Sequence, residues 1–499
     1  MTNKVQHRSH RNLISRMCLR AGTAVLAFAG VMVPGMMATP SAQAQTFTVL
    51  HSFDGTDGSQ VFTGLVQATD GNLYGTAAGG GANGGGTVFK ITPSGTLTTL
   101  YSFCSQTNCT DGYFPAAGLV QATDGNFYGT TGYGGAIGSG TVFKITPSGT
   151  LTTLYSFCSQ VGCTDGENPA GALVQATDGN FYGTTPFGGA STDCCGTVFK
   201  ITPSGTLTTL YSFCLTCTDG AEPNGGLVQA TNGNLYGTTP YGGAHGAAGT
   251  VFKITTSGTL TTLYSFCSRS GCADGQYPYA ALVQATDGSF YGTTYSGGAS
   301  NDGTVFKTTP SGTLTTLYNF CSRSGCADGQ YPYAALVQAT DGSFYGTTYS
   351  GGASNDGTVF KTTPSGTLTT LYNFCSQSGC TDGAQPYAGL VLDTNGKFYG
   401  TTYSGGASND GTVFGLSLGL GPFVETEPTS GKVGAAVKIL GTNLTGATSV
   451  TFNGTPATFK VRSSSEIRTV VPEGATSGKV EVTTPFGTLR SNLPFRVRP

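Results

Sequence analysis

The chain contains no tryptophan, and charged residues make up only 10% of it. Ordinary globular proteins carry about 25%. So sparse a charge leaves no dense basic patch, which excludes the electrostatic footprint that nucleic-acid binding requires. Histidine is nearly absent as well, and beyond residue 44 only His51 and His245 remain. No Gly-x-Ser-x-Gly, His-Glu-x-x-His or phosphate-loop pattern occurs, so the motif-borne routes to esterase, metalloprotease and nucleotide chemistry are closed. The missing tryptophan also excludes an Asp-box of the sialidase type. A long unbroken apolar run is lacking too. The best stretch, Ala21–Met37, is interrupted by Pro34 and by glycines, whereas a spanning helix wants ~20 apolar residues.

That stretch reads instead as part of a cleaved export signal, residues 1–44. Lys4, Arg8, Arg11, Arg16 and Arg20 form a basic leader, and Ala42-Gln43-Ala44 is a small-residue cleavage site. The mature chain then holds 18 basic and 25 acidic residues, a net charge of −7. Residues 45–420 are acidic and residues 421–499 mildly basic. The expected location is the cell exterior or the cell surface, with no transmembrane segment in the mature chain.

What the sequence has in abundance is repetition. Tyr-Gly-Thr recurs at Tyr74, Tyr128, Tyr182, Tyr236, Tyr291, Tyr345 and Tyr399, five times at a spacing of 54 residues and once at 55. A fixed period of that length marks one supersecondary unit copied in tandem, too small to bury its apolar faces alone. The second copy shows the plan. Leu119–Thr123, Asn126–Thr131, Thr141–Ile145 and Thr150–Phe157 read as short strands. Asp124-Gly125 and Pro147-Ser148-Gly149 are tight turns between them. Four antiparallel strands per unit predict propeller blades. Thr46–Phe53 resembles a fourth strand with no unit before it, and the last unit stops at Thr412–Leu416 without one. The expectation is an all-β protein: a seven-bladed β-propeller over 45–420, closed by its N-terminal strand. Units Cys267–Phe320 and Cys321–Phe374 are identical residue for residue, so neither holds a unique catalytic group.

Cysteines follow the same period. Cys104 and Cys109, Cys158 and Cys163, Cys267 and Cys272, Cys321 and Cys326, and Cys375 and Cys380 share a C-x4-C spacing, and Cys214 and Cys217 a shortened one. In an exported chain, local disulfides are the default. Zinc at Cys214 and Cys217 lacks a second ligand pair at finger spacing. Cys194 and Cys195 are adjacent, and the sequence leaves a vicinal disulfide and free thiols equally open.

Beyond Leu420 the composition changes. Alternating apolar positions between turn signals predict a β-sandwich over 421–499. Its expected core is Val437, Ile439, Val450, Phe452, Val461, Ile467, Val470, Val480, Val482, Phe495 and Val497. Gly441-Thr442-Asn443-Leu444, Val450-Thr451-Phe452-Asn453-Gly454, Val471-Pro472 and Pro494-Phe495 resemble an IPT/TIG immunoglobulin-like domain, which implies a binding or spacer module. The phrases LVQATDGNFYGTT and GTVFKITPSGTLTTLYSF resemble the GloVer tandem repeat of exported "choice-of-anchor" proteins. That resemblance covers residues 46–416 and implies a secreted protein.

Two residue sets stand out as a candidate ligand face, since function concentrates in loops on rigid scaffolds. The first is Asp57, Asp111, Asp165, Asp219, Asp274, Asp328 and Asp382, each followed by glycine. They form either an acidic rim for a cation or polyhydroxy ligand or, on the blander reading that turn chemistry favours, Asp-Gly turns. The second is the loop tyrosines, among them Tyr279, Tyr295, Tyr333, Tyr349, Tyr387 and Tyr403, suited to sugar or protein contact or to packing. Glu167 and Glu222 are the only glutamates in the repeats, and no motif places either. The reading is a binding or scaffold protein without catalysis, cofactor or metal, whose partner is an extracellular protein or polysaccharide. The alternative is a lectin-like propeller, and a polysaccharide hydrolase ranks last.

Overall fold

The computed structural model describes residues 45–190, 195–214 and 218–498. The expected export signal, residues 1–44, lies outside the described residues, as do Cys194 and Cys217. Among the described residues no α-helix occurs, and no helix is long and apolar enough to cross a membrane.

The repeats form seven four-stranded antiparallel sheets in a propeller-like, all-β arrangement. In the second unit the strands are Val120–Gln121, Phe127–Thr131, Thr141–Ile145 and Leu151–Ser156. The innermost strand is shorter than the expected Leu119–Thr123. Ala122 already belongs to the turn, its N–H donating to Asn126 O at 2.8 Å. Asp124 holds that turn by accepting from the Asn126 N–H at 3.0 Å and from the Tyr128 hydroxyl at 2.9 Å.

The Tyr-Gly-Thr phrase repeats because each of its residues does a different packing job. Tyr128 is fully buried and stacks on Phe181 of the next unit, with ring centroids 4.1 Å apart. Gly129 lies under Phe143, where a Cβ would come within 2.6 Å of the ring. The threonine next in line bonds the neighbouring unit in every unit but the second, where Thr130 makes no such bond, as when Thr76 Oγ1 donates to Ala117 O at 3.0 Å. Tyr74–Phe127, Tyr236–Phe290 and Tyr291–Phe344 repeat the stacking contact. Such pairs add roughly 0.5–1.5 kcal/mol each beyond their buried area.

The first and last units are neighbours in the same sense. Strand Thr46–Ser52 pairs antiparallel with Thr412–Ser417, completing the sheet that the last unit leaves short. Phe47 stacks on Tyr372 at 3.7 Å and on Phe414 at 5.3 Å. Thr401 Oγ1 donates to Thr63 O at 3.0 Å, the same contact that Thr76 makes one unit on.

Residues 423–498 add two further four-stranded sheets and one parallel strand pair, Ser430–Lys432 with Arg496–Arg498. Their shared core holds Val437, Ile439, Val450, Phe452, Ile467, Val480, Val482 and Phe495, together with Val424, Leu444 and Val471. Val470 is a correction: it is 40% exposed. Strand alternation turns Ile467 and Thr469 inward, which sends Val470 out, and Val471 packs in its place. Val461 and Val497 are only partly buried, at the edge of the core.

Candidate functional site

The tail seats itself on the base of the ring of repeats. Lys438 Nζ donates to Ala122 O at 3.2 Å, and Ser465 Oγ to Thr69 O at 2.7 Å. Asn492 Nδ2 reaches Gln338 O at 2.8 Å, and Arg496 Nη1 reaches Thr231 O at 2.9 Å. Arg498 meets Thr177 Oγ1 at 3.3 Å, and Thr442 meets Thr394 Oγ1 at 3.1 Å. These ring residues all sit at the end of the innermost strands or just after them, in six of the seven units. The tail therefore spans the axis at one end, and a ligand has the other end to enter by.

At that other end lies a cavity of about 560 Å³. Its wall takes from every unit one register, the residue three before the leucine that leads into each innermost strand, with Phe114 also lining it in the second unit. Around the ring that position is Phe62, Ala116, Ala170, Asn224, Tyr279, Tyr333 and Tyr387. Four consecutive units, counted across the seam, contribute an aromatic, and the three opposite contribute small or amide side chains. Tyr349 and Tyr403 extend the aromatic side. A smaller space of about 310 Å³ is lined only by Tyr279, Tyr295, Tyr333, Tyr349 and Tyr387. All six expected loop tyrosines thus gather on one side of one mouth.

The rings lean on each other. Tyr279 and Tyr333 stack at 4.7 Å, Tyr333 and Tyr387 meet at 4.1 Å with their planes tilted by 37°, and Phe62 stacks on Tyr403 at 5.2 Å. Tyr241 and Tyr279 share a hydroxyl hydrogen bond of 2.8 Å. Burial raises Tyr279 and Tyr333 far above the ordinary phenol value and pushes Tyr387 up to about 12. Every one of these phenols is therefore neutral at physiological pH.

The aspartates take a different place from the acidic rim. Asp111, Asp165, Asp274, Asp328 and Asp382 are fully buried. Asp111 Oδ2 accepts from the Tyr101 hydroxyl at 2.8 Å and from the Ser105 N–H and hydroxyl at 2.9 Å, and Oδ1 from the Gln106 N–H at 3.3 Å. Asp165, Asp274, Asp328 and Asp382 repeat the pattern. Burial alone would raise Asp111, yet the hydrogen bonds from Tyr101 and Ser105 outweigh it and hold the carboxyl below its usual range. Each carboxylate spends its lone pairs on its own loop. The bonds run backward five and six residues to the cysteine loop, beyond the Asp-Gly turn itself. Asp57 differs, pairing with His51 Nε2 at 2.6 Å, and Asp219 accepts from Tyr211 at 2.5 Å.

The loops of Asp111, Asp165, Asp274, Asp328 and Asp382 are also closed covalently. Cys104–Cys109, Cys158–Cys163, Cys267–Cys272, Cys321–Cys326 and Cys375–Cys380 are disulfides. Cys214 is disulfide-bonded too, and Cys195 is buried. Glu167 and Glu222 lie outside the cavity wall.

The family model described as the Gloeobacter/Verrucomicrobia repeat matches residues 24–246, 191–414 and 247–461, most of the chain. This chain belongs to the Gloeobacter/Verrucomicrobia repeat family. No curated protein matches this repeat protein. Among solved structures it is similar to the extracellular domain of a candidate hybrid two-component system of Bacteroides thetaiotaomicron. The identity is 11%, the TM-score 0.47, and the match covers 91% of this chain and 58% of that one. It thus spans less than two thirds of that neighbour. A candidate 6-phosphogluconolactonase from Bacteroides uniformis is 17% identical at a TM-score of 0.45, covering 68% and 91%. An auxiliary nutrient binding protein from Bacteroides thetaiotaomicron is 14% identical at 0.39, covering 66% and 83%.

Proposed function

We propose that this is an exported, non-catalytic binding protein. Its seven repeats form a seven-bladed propeller over 45–420, and residues 421–499 form an immunoglobulin-like module of the IPT/TIG kind that plugs the base. The ligand site is the axial cavity on the loop face. One observation carries the reading: a single register around the ring is aromatic on one side and small on the other. A purely structural ring would have no reason to leave that position empty in consecutive units and crowded in the rest.

The disulfides agree with an oxidising compartment outside the cell. The cavity wall carries no carboxylate, imidazole, amine or thiol, and its protic side chains are the tyrosine phenols, the Thr63 hydroxyl and the Asn224 amide. The buried aspartates serve the loops that frame the mouth. The partner is an extracellular molecule, a polysaccharide or a protein segment.

The decisive variant is Ala170→Tyr. It places at this register the residue that three other units already carry, so the fold accommodates it while the cavity fills. Immobilised wild-type and variant proteins are exposed to native extracellular medium, and retained molecules are read by mass spectrometry. Retention by the wild type alone supports the axial site, and equal retention by both sinks it. Turnover of a polysaccharide panel that is lost in Glu167→Gln or Glu222→Gln would overturn the non-catalytic assignment.

A further inference from the structure

Resting on the axial-site reading, we infer that the cavity takes an uncharged oligosaccharide and holds it through tyrosine hydroxyls rather than by stacking sugar on open ring faces. The first step is charge. The cavity wall is made of Phe, Tyr, Thr, Asn, Ala and Gly, with no side chain that is ionised at neutral pH. An ion entering would shed water with no partner of opposite sign, a large cost. Charged ligands are therefore excluded by the lining itself.

The second step concerns the rings. Tyr333 lies between Tyr279 and Tyr387, so both of its faces are covered. Tyr295 stacks on Tyr331 at 4.9 Å. At Tyr333 an aromatic ligand finds no free face to slide against. What these half-buried rings leave for an occupant is their edges and phenolic oxygens. A phenol both donates and accepts.

The third step is the match. A purely apolar occupant would strip water from several hydroxyls and leave them unsatisfied. A neutral sugar answers each one, and its C–H groups meet ring edges and the Ala116, Ala170 and Gly171 wall. The volume falls within the ~300–1,000 Å³ typical of small-molecule sites.

The test uses the mature chain with neutral hexaoses (cello, xylo, malto and manno), an oligogalacturonate and a chitosan hexamer. Because the chain has no tryptophan, tyrosine emission reports binding directly, alongside calorimetry. Tyr387→Phe keeps ring packing and removes one hydroxyl, and Phe62 shows that phenylalanine fits this register. A neutral hexaose is expected to bind, about tenfold more weakly in Tyr387→Phe, and not at all in Ala170→Tyr. Three outcomes overturn the inference: preference for a charged oligomer, an affinity that Tyr387→Phe leaves unchanged, or no binding of any oligosaccharide. If Ala170→Tyr still blocks whichever probe binds, the axial site stands and only its ligand class falls. If binding persists in Ala170→Tyr, the site itself is elsewhere.

Discussion

Gln67 and Thr394 grip each other across the seam. Thr394 N–H donates to Gln67 Oε1 at 3.0 Å, and Gln67 Nε2 donates to Thr394 Oγ1 at 2.9 Å. The same glutamine register joins other neighbours, as Gln121 accepts from Thr69 N and Gln175 from Thr123 N. The ring is thus tied at its seam by the N-terminal strand, by the Thr401 to Thr63 bond and by this pair near the axis.

Gln67→Leu removes the axial tie and leaves the buried Thr394 N–H without its acceptor. An orphaned buried donor costs about 1–3 kcal/mol. The melting temperature should fall measurably, whereas Gln121→Leu, at a register of identical form away from the seam, reports the ordinary contribution. An equal fall in both variants means the seam has no special weakness. A larger fall for Gln67 marks the place where the ring opens first.

Asp328→Asn tests the loop network. An amide nitrogen replaces one carboxylate oxygen and faces donors from Tyr318, Ser322 and Arg323 N–H. Hydrogen bonds to a charged group contribute about 1.5–3 kcal/mol, so a clear loss of stability is expected by thermal melting. Asp274→Asn in the identical preceding unit should lose the same amount. An unchanged melting temperature in both would show that the loops are held by their disulfides alone.

Those disulfides close short rings, with a sequence separation of 5. Loop-entropy arithmetic gives roughly 2 kcal/mol for so small a ring. Reduction should lower the melting temperature while circular dichroism at room temperature keeps its strand signal. Collapse of that signal on reduction would mean that the sheets depend on the bridges.

These features differ in how far the sequence shows them. The period, the strands and the cysteine pairs are local, and a local pattern is legible in one dimension. The displaced strand Thr46–Ser52 betrays closure because it has no unit of its own. The aspartates are harder. An Asp-Gly pair looks the same whether its carboxylate meets solvent or, like Asp111, the backbone six residues earlier. The gathering of the tyrosines was visible only as separate loop residues. Aligning Phe62, Ala116, Ala170 and Asn224 with them would have exposed the one-sided wall. The docking of the tail leaves no sequence signal on its acceptor side. Lys438, Ser465, Asn492 and Arg496 all donate to main-chain carbonyls, which every residue has.

The junction of tail and ring gives a pH dependence with two limbs. Burial pushes the Asp393 carboxyl up to about 6, against opposing help from the Asn395 N–H and Lys397, and Glu425 up to about 7, with Glu427 and Asp393 adding repulsion. An acid whose folded value is raised destabilises the fold while ionised. That cost is present above pH 7 and is lifted as pH falls toward the ordinary values of 3.8 and 4.5. Asp111, Asp274, Asp328 and Asp382 have the opposite sign: their folded values are lowered. Their stabilisation is present above the ordinary 3.8 and is lost as pH falls below it. Melting temperature should therefore rise from about pH 8 to about pH 5 and drop below about pH 4. Asp393→Asn should flatten the upper limb and spare the lower. A variant profile parallel to the wild type would sink the assignment to Asp393.

Lys438 supplies the final prediction. It is buried, at 8% exposure, and its ammonium bonds Ala122 O in the ring. Burial raises the Glu427 carboxyl, Lys438 pulls it back down, and Glu466 pushes it up. Lys438→Met keeps the apolar stem and removes the charge, so Glu427 loses the cation that stabilises its ionised form. Removing one partner of a buried charge pair costs about 3–5 kcal/mol in well-enclosed cases, and Glu427 is partly accessible, so less is expected here. The loss should be largest at the high end of a pH series and shrink as falling pH adds a proton to Glu427. Differential scanning calorimetry of the two proteins across that series reads the trend. A loss that stays constant with pH would show that Lys438 acts through its bond to Ala122 alone, with no part in balancing the acids between ring and tail.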